Sequence, residues 1–196
     1  MSYSLDPLQD DCYEGTNVLI NKFDIGDGEK LDIIERDITS ALIAKAYIEI
    51  PFENVDFDFY KNLHYYVFSD IYEWAGNIRN VDMSKKGTRF CSPERIETSG
   101  RDIFEYLSKI SYLVNLTDEE FITEFTELYC RLNYLHPFRE GNGRIQRLFL
   151  SILLKNIGKS IDFSKIDADL LMIATIKAVS GDIFILQDIF KQFINQ

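Results

Sequence analysis

Apolar residues recur three and four positions apart through most of this chain. Leu31, Ile34, Ile38, Leu42 and Ala46 keep that spacing, and Phe57, Tyr60, Leu63, Val67 and Ile71 repeat it; such a stripe is how a helix faces a core. Ile96, Ile103, Tyr106, Leu107 and Ile110 predict a third helix, entered at Ser92-Pro93-Glu94, where Ser92 can cap and Pro93 fits the first turn. Thr117-Asp118-Glu119-Glu120 has the form of a capping box. Phe121, Ile122, Phe125, Leu128, Tyr129, Leu132 and Leu135 follow it with so broad an apolar face that this helix is expected at the centre. The next helix runs from Gly143 to a stop at Asn156-Ile157-Gly158. Two more are expected, about Asp167 to Val179 and about Asp182 to Ile194. The apolar face of the last, with Ile183, Leu186, Ile189, Phe190 and Phe193, opposes a polar face that is not basic, so it reads as core packing rather than a membrane-surface helix.

Between Ile78 and Cys91 the period changes to two. Ile78, Asn80, Asp82 and Ser84 alternate with Arg79, Val81, Met83 and Lys85, and Lys86-Gly87-Thr88 makes a turn before Arg89-Phe90-Cys91, which predicts a short β-hairpin. With four prolines, ten glycines and no repeat or linker, the expectation is an all-α fold of one domain over residues 1–196 with that hairpin attached. A 46% hydrophobic content supplies a core. Lys+Arg 21 against Asp+Glu 32 gives a net charge of -11, which disfavours direct binding to nucleic acid or an anionic membrane. Basic residues nevertheless gather in two segments, Arg79, Lys85, Lys86, Arg89 and Arg95 in one and Arg139, Arg144 and Arg147 in the other. They are expected to face each other across a cleft for a polyanion. Cys12, Cys91 and Cys130 have no metal-like spacing, and reduced thiols in the cytoplasm are the simplest account. Neither a membrane span nor a signal peptide is legible; an injected effector would escape that test.

The chemistry is concentrated in His136-Pro137-Phe138-Arg139-Glu140-Gly141-Asn142-Gly143-Arg144-Ile145-Gln146-Arg147. Glycines let backbone approach phosphate oxygens, and the N–H groups opening the next helix point at them. Arg144 and Arg147, three apart, share a helical face and can fork onto neighbouring phosphates. Glu140 offers hard oxygen for Mg²⁺, and His136 suits proton abstraction from a hydroxyl near neutral pH. A bland reading also exists, in which His136-Pro137 merely stops a helix and the glycines turn the chain, but such a turn needs neither the carboxylate nor the aligned arginines. His64, in an aromatic helix, reads as a satisfied structural residue, and Trp74 before Ala75-Gly76 as a core plug.

This segment resembles the signature of the Fic domain (filamentation induced by cAMP), H-P-F-x-[D/E]-G-N-G-R-x-x-R, at every fixed position. Residues 63–76 are similar to the helix and turn preceding that family's flap, and residues 13–22 to the start of short bacterial Fic toxins. The resemblance implies a compact helical domain whose hairpin flap lies over the catalytic loop, and transfer of AMP from ATP to a protein hydroxyl. It implies His136 as general base, Glu140 as Mg²⁺ ligand, Gly141, Asn142 and Gly143 as the anion hole, and Arg144 and Arg147 as ligands of the β- and γ-phosphates. It also implies a target-binding flap with Lys85, Gly87 and Phe90, Phe90 being either a clamp on the target side chain or an anchor of the hairpin. The related Doc kinases carry Ala-Asn-Lys where this sequence has Gly141-Asn142-Gly143, which favours nucleotidyl transfer.

Alternatives stay open: another donor, such as UTP or CDP-choline, or a binding module without turnover. The implied target is a type II topoisomerase subunit. A restraining helix of the form [S/T]-x-x-x-E-[G/N] is missing from the sequence: Ser69 with Glu73 and Thr123 with Glu127 lack the following glycine or asparagine. The expected inhibitor is therefore a separate small antitoxin that brings its glutamate to Arg147, the competing possibility being Glu35 within this chain.

Overall fold

The computed structural model describes residues 4–5, 11–85 and 88–195 and shows the mostly helical fold that the periodicity predicts. Helix α1 (Gly28–Glu49) starts where the Asp27 carboxylate accepts from the N–H groups of Glu29 and Lys30, and α2 (Phe57–Phe68) where Asp56 accepts from Phe59. In α3 (Pro93–Lys109) Pro93 holds the first turn, but the Ser92 side chain makes no cap bond. The capping box at Thr117 is present in both directions and opens α4 (Asp118–Leu135). Next come α5 (Asn142–Asn156), α6 (Ala168–Val179) and α7 (Phe184–Phe193).

The two helices that flank the signature loop are the core. Helix α4 packs on α3, α5 and α7, and α5 on α4, α2 and α1. Ile145, Leu148, Phe149, Leu150, Ile152, Leu153 and Leu154 bury α5 nearly all round. An aromatic cluster carries this rigidity into the loop: the Tyr60 ring stacks on Phe138 at 5.8 Å and meets Phe149 edge-on at 5.5 Å. Trp74 is the half-buried plug expected, lying on Tyr72 at 4.5 Å.

The hairpin is shorter than the alternation predicts. Strands β2 (Met83–Lys85) and β3 (Thr88–Arg89) pair antiparallel, Ser84 opposite Arg89, and β1 (Ser4–Leu5) joins the outer edge of β2. Lys86 and Gly87 lie outside the described residues. Residues 78–82 do not join a strand because that stretch binds the signature loop instead, with Arg79 N–H donating to Pro137 C=O at 2.9 Å. A second pair, β4 (Ser160–Ile161) with β5 (Ile194–Asn195), has two residues a side, too few for alternation to register.

Where α2 and α3 cross, Gly100 permits the contact: a Cβ there would lie 2.6 Å from the buried Phe57 ring. Gly100→Ala is expected to cost about 1–3 kcal/mol through overpacking, measured as a fall in the urea midpoint; an unchanged midpoint would show that the helices separate freely.

Candidate active site

Helix α4 stops at His136, whose left-handed backbone (φ 41°, ψ 58°) ends the helix while its N–H still bonds Leu132 C=O. Gly141 takes φ +79° before α5, and a Cβ there would meet the Phe68 ring at 2.3 Å, so only glycine fits. Between these points the loop closes on Asn142. Its buried side chain accepts from Phe138 N–H at 2.8 Å and donates to Phe138 C=O at 2.6 Å. The side chain of this anion-hole candidate is thus committed to shaping the loop. Its backbone N–H and that of Gly143 open α5, where a helix leaves N–H groups without intrahelical partners.

Two of the cations expected across the cleft are instead internal braces. Arg79 is buried and donates to three backbone carbonyls, His136 at 2.8 Å, Val81 at 2.6 Å and Cys91 at 2.5 Å. Arg139 is buried against Asp11, to which it is ion-paired. A guanidinium out of water needs such acceptors.

A cavity of about 640 Å³ lies over the loop, and its lining includes His136, Gly143, Arg147, Lys85 and Phe90. Of the flap residues expected at the site, Lys85 and Phe90 are there, while Gly87 lies outside the described residues. Phe90 is buried and stacks flat on the His136 ring, 3.7 Å between centroids. The same lining carries an apolar wall, Ile166, Leu171, Met172, Ile176 and Val179. Sequence reading missed this wall, yet it left a sign. Helix α6 is apolar almost all round while Ala174 is its one fully buried residue, so most of its apolar surface is left uncovered by the core.

Burial holds the His136 imidazole down at about 3, with Arg79 and then Lys85 acting in the same sense and a hydrogen bond to the Asn133 backbone opposing them. The ring is neutral and has an acceptor nitrogen. His64 is likewise held at about 3 by burial. It is the satisfied structural histidine expected, bonded to Glu140 C=O at 3.0 Å and to Gly76 N–H at 2.9 Å.

Arg144 and Arg147 diverge in their surroundings. Arg144 donates to Glu35 at 2.5 Å, to Thr39 at 3.2 Å and to Glu140 at 3.4 Å, with its guanidinium over the Phe68 ring. Tyr72 holds the other oxygen of Glu35, and burial and that carboxylate raise the phenol. Arg147 lines the large cavity and also, with Arg144, a second cavity of about 430 Å³ between α1 and α5. Glu140 has Oε1 bonded to Gly141 N–H at 2.8 Å.

The model of the Fic/DOC family matches residues 54–154, just over half of the 196 residues, and so spans the whole signature loop. The chain belongs to the Fic/DOC family. It is 36% identical over 179 residues to a probable protein adenylyltransferase of Sinorhizobium fredii, covering 91% of this chain and 90% of that one. It is 31% identical to the probable protein adenylyltransferase Fic of Salmonella typhimurium, covering 94% and 91%. Among solved Fic structures, the BepC protein of Bartonella tribocorum with bound AMPPNP superposes with a TM-score of 0.86 at 26% identity, covering 94% and 96%. A Fic domain from Bartonella quintana with bound ADP gives 0.89 at 26%, covering 94% of each. Among the described residues of this Fic chain, no helix is long and apolar enough to cross a membrane.

The two histidines, the only two in the chain, make its stability acid-sensitive. Unfolded, each binds a proton with a pKa near 6.5; folded, each does so near 3. Between those values the unfolded chain carries the extra protons, so stability is full above 6.5 and falls with pH. The expected loss between pH 6 and pH 5 is about 2 kcal/mol, roughly half from each histidine. Urea titrations at stepped pH check this, with His136→Gln halving the slope; a flat profile would contradict the buried neutral state.

Proposed function

We propose that this chain is a protein adenylyltransferase that moves AMP from ATP onto a hydroxyl group of another protein. The observation that carries the reading is the make-up of the large cavity, whose lining combines a neutral imidazole, the opening of α5 and Arg147 with apolar residues of α6 suited to a flat base. The acceptor oxygen bonds to the α-phosphorus, its proton passes to the His136 ring nitrogen, and pyrophosphate leaves. Catalysis of this kind rests on positioning and charge neutralisation. Of the anion-hole residues, Asn142 and Gly143 supply backbone donors where α5 opens, while the Gly141 N–H steadies Glu140; Arg144 and Arg147 are the cations for the β- and γ-phosphates.

Mg²⁺ fits the residues present. Among the described residues no group of three His, Cys, Asp or Glu forms a ready-made cage; the Glu140 carboxylate would hold the ion with phosphate oxygens as co-ligands, its usual habit. Bound there, it would neutralise the triphosphate. Phe90, lying on His136, shields the imidazole from water, and the edge of the flap that β1 leaves open, β3, is the natural seat for the target main chain.

Partners follow from the resemblance. The proposed target is a type II topoisomerase subunit, and the proposed inhibitor a small antitoxin whose helix brings a glutamate to Arg147. The second cavity supports such a guest, joining Ile43, Tyr47 and Leu148 to the two arginines. Within the chain, Glu35 engages Arg144, the first motif arginine rather than the second.

Incubation with ATP labelled at the α-phosphate tests the activity. The chain should pass label to a protein in bacterial lysate, and His136→Ala should lower the rate by about 10²- to 10⁴-fold with nucleotide still bound. Stoichiometric binding without transferred label would leave only a binding module; label delivered from UTP or CDP-choline instead would change the donor.

Regulation has its own outcome. The purified chain should be active alone, and Glu35→Ala should not raise transfer. A chain silent until Glu35 is replaced would move the brake from a partner into α1.

A further inference from the structure

The peptide joining Glu140 to Gly141 is held from both sides. Its N–H donates to the Glu140 carboxylate at 2.8 Å, and its C=O lies 3.0 Å from His64 Nε2. A carbonyl can only accept, so Nε2 carries the proton. Nδ1 must then be the acceptor for Gly76 N–H at 2.9 Å, and the tautomer is fixed by its two partners. The ring has no freedom to turn. It lies between Phe138 at 3.9 Å and Phe68 at 4.6 Å, and it is fully buried. Its anchor is equally fixed: Gly76 has φ +79°, and a Cβ there would sit 2.9 Å from Tyr65 Cβ.

We propose that His64 is a positioning residue for the proposed transferase site, locking the plane of the Glu140–Gly141 peptide and through it the aim of the Glu140 carboxylate and the turn that opens α5. Rotation of that peptide would remove the N–H that steadies Glu140 Oε1 and set a carbonyl oxygen near the carboxylate. The bond from Nε2 prevents this rotation. His64 would touch neither nucleotide nor metal, and its effect passes entirely through one backbone carbonyl. The inference rests on the functional reading only for the consequence at Glu140; the peptide lock itself is a property of the free chain.

Two substitutions separate the halves of the imidazole. An asparagine amide reaches about as far as Nδ1, and a glutamine amide about as far as Nε2. His64→Asn can therefore accept from Gly76 but not reach Glu140, whereas His64→Gln can donate to Glu140 C=O but not serve Gly76. Amide hydrogen exchange on the nucleotide-free protein reads the lock directly, and calorimetric affinity for Mn²⁺–AMPPNP reads its consequence, with urea midpoints establishing that both variants are folded. In His64→Asn, exchange at Gly141 should quicken and Mn²⁺–AMPPNP affinity fall by about 10- to 100-fold, the usual cost of losing a group that orients a metal ligand. In His64→Gln, Gly141 should stay protected, Gly76 should exchange faster, and affinity should remain near that of the unaltered chain. Parallel losses in both variants would reduce His64 to packing, and unchanged Gly141 exchange in a folded His64→Asn would overturn the lock. If the unaltered chain binds no Mn²⁺–AMPPNP, the functional reading fails while the exchange pattern still decides the lock.

Discussion

The site depends on the clasp between the Asn142 side chain and the backbone of Phe138. A buried loop joining two core helices leaves backbone groups that need partners, and one buried amide meets a donor and an acceptor at once. Phe138, so held, is pressed into the aromatic core by Tyr60. The chain on its C-terminal side can then begin α5 with its free N–H groups turned toward the cavity. Loss of the amide would leave two buried backbone groups unpaired, each costing about 1–3 kcal/mol, and would loosen the turn that carries the anion-binding donors.

Around this clasp the protein distributes its scarce positive charge by role. In a chain with a net charge of -11, arginines that look alike in sequence have separate tasks. Arg79 stitches the stretch before the flap to the catalytic loop through backbone carbonyls, and Arg139 ties the loop to the N-terminal segment through Asp11. Arg144 is anchored to α1 by Glu35 and Thr39, and Arg147 borders both cavities. A guanidinium already balanced by a carboxylate, as Arg144 is by Glu35, adds less field at a phosphate than its formal charge suggests. The electrostatic pull of the cleft is thus set less by the number of cations near it than by which of them are neutralised locally.

Local signals were legible because they are local. Apolar spacing marked the helices, the capping box at Thr117 fixed the start of α4, and the signature loop marked the family. What escaped depends on distance along the chain. Arg79 reads as a surface cation until Pro137 and Cys91 are brought to it, and the stretch around it alternates like a strand although its partner is a loop. Tyr72 and Thr39 give no sign that they will meet Glu35 and Arg144. The apolar wall of the cavity was hidden for another reason: periodicity reports that a helix is apolar, not whether protein or ligand will cover it.

Helix α6 contributes little to its own placement. It buries one residue fully, while Leu170, Ile173, Ile176 and Val179 remain exposed. What holds it is the short ladder between β4 and β5, which brings residue 160 against residue 195, together with α7, whose Phe190 is driven edge-on into Phe125 of α4. The ladder closes the chain between those two strands into a loop, and α7 within it belongs to the core, with Leu186, Ile189 and Phe190 buried. The apolar wall is thus seated on α7 and touches α4 where the Thr175 hydroxyl meets Tyr129, so its position over the catalytic loop is inherited from how deeply α7 is sunk into the core.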